Sequence, residues 1–276
     1  MTASVTTLPS PQRLYRDWEG AHWSAHAIDL AQDRADWTAV AGLERGLLQF
    51  ALASLMVAEE RISTQFCGLV LAQDDEEEGS YLATQLVDEV RHMQFYARFQ
   101  DEVVADPASI AAHVARAREL MQEPLRLIFD EALVRAHARL VAAPRDRQAK
   151  VDFVTIYHLV IEGTLGVTTS HFLLGFLRQR GLFPGFVDGY SRIASDEGRH
   201  IAYGTGFLQR AVATDGAMAE VVRNRLDALM PAIRQALSPA GAPEILGLPP
   251  DALTRHGLGA LEKRLAAIGI GQPHAA

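Results

Sequence analysis

The 276-residue chain holds a single cysteine, Cys67. That excludes an intrachain disulfide and fits a reducing cytosol, the expected location. Basic side chains are in deficit: 26 Lys and Arg face 34 Asp and Glu, a formal net charge of −8. No basic stripe interleaved with aromatic residues occurs, so nucleic acid is not an expected partner. Long apolar runs are scarce. The stretches 46–58 and 172–177 stop short of the ~20 residues needed to cross a bilayer, so no transmembrane segment is expected. The opening MTASVTTLPSPQ lacks the basic-then-apolar order of a secretory signal. Period-two alternation and Asn-Gly turns are missing too, which excludes a conspicuous β-sheet.

What the chain does have is Ala, Leu, Arg, Glu and Gln, all good helix formers, and 49% hydrophobic residues, enough to bury a core. The pattern predicts an all-α protein. A loosely structured leading segment reaches about Trp37, and long helices follow over 39–73, 75–105, 107–142, 146–180, 184–213 and 215–237. Asp106-Pro107 reads as an N-cap with Pro at the first helical position. Gly181 and Pro184 mark a stop and a restart. The acidic run from Asp74 to Glu78 suits the positive end of a helix and is expected to be a solvated charged turn without a metal role. Residues 238–250, rich in Pro, Gly and Ala, form a connector before a short helix near 251–268. No compositional shift divides the chain, so residues 1–276 are expected to form a single domain, with 1–14 and 269–276 flexible.

One pentapeptide pattern, DExRH, occurs twice: Asp88-Glu89-Val90-Arg91-His92 and Asp196-Glu197-Gly198-Arg199-His200. On a helix, a Glu and a His three residues apart point to the same side, one turn apart. Each pair is preceded by an acid on an earlier helical segment. Glu59 or Glu60 stands about thirty positions before Glu89, and Glu162 stands thirty-five before Glu197. Glu162 lies in the otherwise apolar IYHLVIEGTLGV, where a lone carboxylate is costly unless paired or bound to metal. Two Glu-x-x-His pairs with one further Glu from each of two helices form the donor set of a two-metal carboxylate bundle. Four carboxylates neutralise two divalent ions, and imidazole suits iron and other first-row metals. Asp88 and Asp196, beside the ligand acids, are candidates to orient the two imidazoles. His158 and His171 flank Glu162 and read as ordinary helix histidines.

On these motifs the chain resembles the ribonucleotide reductase small-subunit superfamily over about residues 11–215. Within it, the chain is most similar to the ligand-binding oxidases that resemble that subunit. HWSAHAIDLAQDRADW is similar to the segment leading into the family's bundle. VAEERIST resembles its first ligand helix, which places Glu59 at the ligand position and makes Glu60 a neighbour. YHLVIEGTLGVT and RIASDEGRHIAYGT resemble the third and fourth ligand segments. The resemblance implies a ferritin-like four-helix bundle with additional long helices. It implies metal ligands Glu59, Glu89, His92, Glu162, Glu197 and His200, holding Fe/Fe or Mn/Fe, and dioxygen activation there. It further implies a pocket for an apolar ligand such as a long-chain fatty acid, and a homodimer formed near the first two ligand helices. Tyr157 matches a tyrosine that crosslinks to a valine, whose place Ile62 takes here. Trp23 and Asp196 match a Trp–Asp pair leading to His92, and Tyr96 matches the reductase's radical tyrosine.

Three functions compete. The first is two-electron oxidation of an apolar small molecule by dioxygen, with an external electron donor for repeated turnover. The second is a radical-generating reductase subunit. Tyr96 and Trp23 favour it; the lack of Tyr or Trp after Tyr203 and the ending GIGQPHAA oppose it. The third is a non-enzymatic iron-binding bundle.

Overall fold

The computed structural model describes residues 8–104 and 110–271. The expected helix start at Asp106-Pro107 lies outside them. Helices dominate and no strand occurs among the described residues.

The leading segment is more ordered than expected. Helix α1 spans Pro11–Glu19, with Ser10 capping its N-terminus and Pro in the first turn. Leu14 of this helix is buried, so residues 11–14 belong to the fold and not to a flexible end. Helix α2 (Ala31–Ala39) carries two buried acids. Asp33 accepts the backbone N–H groups of Gly185 (2.8 Å) and Phe186 (2.6 Å), and Asp36 that of Phe183 (2.7 Å). These acids satisfy donors at a distant helix start, a tertiary role that local pattern does not reveal.

Helices α3 (Gly42–Leu71) and α4 (Glu76–Glu102) follow. The expected helix over 107–142 is broken. Helix α5 spans Ile110–Leu120, and α6 runs over 123–142 with Pro124 in its first turn, where the missing N–H costs nothing. Helix α7 is continuous over Arg147–Arg180 and α8 spans Pro184–Thr214. Helix α9 covers Ala217–Ala236. The expected connector contains a short helix, α10 (Ala242–Leu246), before α11 (Ala252–Ile268). Ile270, expected to be flexible, is buried.

Helices α3, α4, α7 and α8 form the bundle that holds the site, and α11 lies along the middle of α7. Helix α7 is the central element. Its middle, Thr155–Gly166, is wound as a π-helix, and every side chain from Thr155 to Leu165 is buried. By length and composition, Arg147–Arg180 passes as a membrane span, but 61% of its most apolar window is buried inside the bundle. Tyr157, His158 and Glu162 interrupt this run in the sequence, which hides how apolar the helix is as a whole. The wider π turn brings backbone close to side chain: a Cβ at Gly163 would meet the His158 carbonyl oxygen at 2.5 Å, so no larger residue fits there unshifted.

Candidate metal centre

The four bundle helices bring the six sequence-predicted ligands together. Glu59 comes from α3, Glu89 and His92 from α4, Glu162 from α7, and Glu197 and His200 from α8. All are buried except Glu197, whose side chain is 20% exposed. The donor atoms fall into two groups, each within 4.8 Å: Glu59, Glu89, His92 and Glu197; and Glu89, Glu162, Glu197 and His200. Glu89 and Glu197 belong to both. Around His92 Nδ1 lie Glu89 Oε2 at 3.4 Å, Glu197 Oε1 at 3.5 Å and Glu59 Oε1 at 3.6 Å. Around His200 Nδ1 lie Glu89 Oε1 and Glu162 Oε1 at 3.2 Å and Glu197 Oε2 at 3.8 Å. The two acids that serve both histidines thus offer one oxygen to each side, as carboxylates spanning two cations do. Glu60 turns away and pairs with Arg118 at 2.6 Å.

Orphaned atoms show that this donor set fits metal. Glu59 Oε2, Glu89 Oε2, Glu162 Oε2 and His92 Nδ1 are buried without a hydrogen-bond partner. Such groups are costly unless a cation meets them. The cluster can hold two metal ions.

The surrounding hydrogen bonds cross between helices. His92 Nε2 pairs with Asp196 of α8, and His200 Nε2 pairs with Asp88 of α4, both at 3.2 Å. Each Asp accepts an indole N–H at 2.8 Å, Asp196 from Trp23 and Asp88 from Trp18. Each is also clamped by the Arg of its own pentapeptide: Arg91 to Asp88 at 2.8 Å and Arg199 to Asp196 at 2.5 Å. A carboxylate on Nε2 holds the proton there and leaves Nδ1 free to ligate. Trp18, Arg91 and Arg199 were not singled out in the sequence. The repeated DxxR spacing is the local signal for the two arginines, whereas Trp18 depends on where α1 docks.

Burial dominates the electrostatics. It pushes the Glu59 carboxyl up to about 8, helped by the Glu89 and Glu197 charges and opposed by His92. Burial and then the Glu197 charge drive Glu162 well above the usual carboxylate range. Burial opposes protonation of His92 and His200, but the facing carboxylates, Glu59 first for His92 and Glu89 first for His200, raise both. Burial also works against the Asp196 charge, yet the His92 and Trp23 hydrogen bonds and Arg199 hold its carboxyl down at about 2. Protons therefore sit where cations bind, and loading must displace them. Apparent metal affinity is expected to fall as pH drops below about 8, by about ten-fold per pH unit for each proton displaced. Indicator-dye titration during anaerobic Fe(II) addition checks this: acid release should accompany uptake, and a pH-independent affinity would contradict it.

Next to the donors, Tyr157 donates to Glu89 Oε1 at 2.5 Å. Gln85, which the sequence did not flag, donates to Glu162 Oε1 and to the Tyr157 hydroxyl, each at 3.3 Å. His158 is fully buried against Tyr157, whereas His171 is exposed and stacks on His256. Tyr96 is buried with an unpartnered hydroxyl. Ile62 and Tyr157 share one core cluster. A cavity of about 350 Å³ borders the centre, with Glu59, Glu162, Glu197 and Tyr96 in its wall among mostly apolar side chains.

Known structures share this architecture. An R2-like ligand-binding oxidase variant with an anaerobically reconstituted Mn/Fe cofactor superposes with a TM-score of 0.83 at 24% identity, covering 96% of this chain and 95% of that one. Another variant, with an aerobically reconstituted Mn/Fe cofactor, gives 0.83 at 24% identity over 96% of both chains. At this identity the likeness establishes the ferritin-like fold. The family model described as ribonucleotide reductase, small chain, matches residues 7–254. With that match spanning most of its length, the chain belongs to the ribonucleotide reductase small-chain family.

Proposed function

We propose that the protein is a dioxygen-dependent oxidase holding two metal ions, Fe/Fe or Mn/Fe, and oxidising an apolar, fatty-acid-like small molecule by two electrons. The observation that carries this reading is the cavity of about 350 Å³ whose wall includes three of the ligand carboxylates, Glu59, Glu162 and Glu197. Its volume and apolar lining suit a small-molecule site. When bound, the metal pair supplies the redox equivalents for reducing dioxygen. The chain's own residues do the rest. Glu59, Glu89, Glu162, Glu197, His92 and His200 fix the two positions, and Asp88 and Asp196 orient the imidazoles. Tyr157 donates its hydroxyl hydrogen bond to the Glu89 carboxylate. The apolar wall keeps water from the reacting carbon.

An external electron donor, a single domain, a homodimer and a cytosolic location belong to the same proposal. Exposed Leu71 on α3 and Val87 and Val90 on α4 supply apolar surface on the helices expected at the dimer face.

Native and denaturing mass spectrometry tests the reading, on protein loaded anaerobically with Fe(II) and Mn(II), before and after dioxygen. Two metals per chain are expected; loss of two hydrogens mapping to Tyr157 and Ile62 would add a crosslink of the ligand-binding oxidase type, and its absence would turn attention to Tyr96 and an external substrate. The absence of a stoichiometric metal pair would sink the proposal.

A radical-generating reductase subunit is the second reading, favoured by two features. Tyr96 is buried and unpartnered beside the centre, and the Trp23–Asp196–His92 chain has links of 2.8 and 3.2 Å. Tyr96→Phe separates the two functions. In an oxidase it should leave metal stoichiometry and turnover nearly unchanged; a tyrosyl radical signal that vanishes in the variant would favour the reductase.

A further inference from the structure

The two halves of the donor cluster match in ligand type. Each has one imidazole, one carboxylate of its own (Glu59 on the His92 side, Glu162 on the His200 side) and a share of Glu89 and Glu197. The pentapeptide arginines do not distinguish the halves, since each reaches both orienting acids. Arg91 lies 2.8 Å from Asp88 and 3.7 Å from Asp196, and Arg199 lies 3.2 Å from Asp88 and 2.5 Å from Asp196. The unmatched charge is Arg264 of α11, the one basic residue in the wall of the cavity that borders the centre.

Arg264 is a poorly satisfied cation. Nη1 donates to the Ala260 carbonyl, one turn back on its own helix, at 2.8 Å. Nε is buried without an acceptor, and Arg264 makes no ion pair with any described residue. A guanidinium has five N–H donors and stays charged, so burying it unpaired is costly. Its seat is made by Gly163: a Cβ there would stand 3.0 Å from Arg264 Nε and 3.1 Å from Cδ. Gly163 directly follows Glu162, so the guanidinium is held against the backbone beside that one ligand. Burial works against the Arg264 charge, and the carboxylate charge that offsets it is that of Glu162. The Glu59 carboxyl instead answers to His92, Glu89 and Glu197.

A fixed positive charge repels a divalent cation, and in a buried setting mobile ions screen that repulsion little. We propose that Arg264 makes the two metal positions unequal. It weakens cation binding between Glu162 and His200, so the position between Glu59 and His92 fills first. With donors of the same kind on both sides, ligand chemistry alone gives little basis for such an order. Ordered filling lets one chain take two different metals in turn. This deepens the oxidase reading, on which it rests for the metal pair and not for any dioxygen chemistry.

Anaerobic Mn(II) titration of the metal-free, full-length protein tests it, with calorimetry for the affinities and EPR for the mononuclear and spin-coupled species. Wild type should bind two ions in separate steps, and Glu162→Ala should lose the weaker one. Arg264→Gln and Arg264→Met should each tighten the weaker step by at least about ten-fold and alter the tighter one by less than about two-fold. Arg264→Lys keeps the charge and should keep the wild-type pattern. A weaker step that is unchanged or loosened in both neutral variants overturns the proposal. So does an equal gain at both steps, or loss of the tighter step in Glu162→Ala. Dioxygen uptake by the same proteins separates the two proposals. Arg264-dependent loading in a protein that consumes no dioxygen sinks the oxidase and leaves the inequality standing. Dioxygen consumption without an Arg264 effect does the reverse, and a chain that takes up no metal overturns both.

Discussion

Glu89→Ala is expected to abolish binding of both metal ions, while Glu162→Ala leaves fewer than two per chain and a helical protein. The difference follows from where each carboxylate points. Glu89 offers Oε2 to the His92 side at 3.4 Å and Oε1 to the His200 side at 3.2 Å. Glu162 faces His200 alone, at 3.2 Å. Removing a group that serves both positions takes charge and a donor from each. Removing Glu162 takes them from one. Replacing a residue that merely orients a ligand costs about 10–100-fold in metal affinity, and loss of a ligand itself should exceed that. Helicity should survive, because the fold does not rest on any one of these carboxylates. Burial, followed by the Glu197 charge, disfavours the Glu162 carboxylate in the metal-free protein, so truncating it relieves a desolvation cost. Elemental analysis with circular dichroism reads both outcomes. Two ions at full occupancy in Glu162→Ala would remove that residue from the ligand set, and retention of the pair in Glu89→Ala would refute its spanning role.

Much of this centre was legible because helical spacing is local. The i, i+3 pairs Glu89/His92 and Glu197/His200 reach one side of their helices whatever packs against them. Glu162 was legible for another reason, a carboxylate in an apolar run having few inexpensive explanations. The choice between Glu59 and Glu60 was not contained in the spacing. In the structure the turn of α3 brings Glu59 into the donor cluster, while Arg118, 58 residues away in sequence, holds Glu60.

The Asp196–His92 bond was expected from the Trp–Asp pair that the family resemblance implied, whereas the reciprocal Asp88–His200 bond was hidden. Asp88 precedes His92 by one turn on the same helix, yet it bonds His200, and Asp196 bonds His92. Adjacency in sequence pointed to the right residue types for orienting imidazoles and not to their partners. The order in α1 and α2 was missed because the acids of α2 find their donors at residues 183–186, across the fold. Glu78, in a run expected to be solvated, is buried because its partners, Lys150 and Tyr203, come from other helices.

That buried pair gives the largest expected effect on stability. Lys150 Nζ lies 2.6 Å from Glu78 Oε2 and 3.1 Å from Asp74 Oδ1, and it sits 4.9 Å from the Phe207 ring centroid. Tyr203 donates to Glu78 Oε1 at 2.7 Å, and the Asp74 backbone N–H donates to Oε2 at 2.5 Å. Both charged side chains are nearly inaccessible, at 2% and 4% exposure, so water cannot replace a lost partner. Lys150→Met keeps most of the aliphatic stem and removes the charge, leaving Glu78 buried against two neutral donors. Breaking a buried pair from one side costs about 3–5 kcal/mol. Urea unfolding of the metal-free protein should show a loss of that size, insensitive to added salt because the pair is shielded from mobile ions. Glu78→Gln should cost less, since Asp74 still faces the lysine. The double variant should recover at least about 1 kcal/mol relative to the sum of the singles, because the second change removes the stranded charge. Strict additivity would mean that Lys150 and Glu78 act independently, each satisfied by its other neighbours. Metal stoichiometry should stay at two in all three proteins, since neither residue belongs to the Glu/His cluster proposed to hold the metal pair.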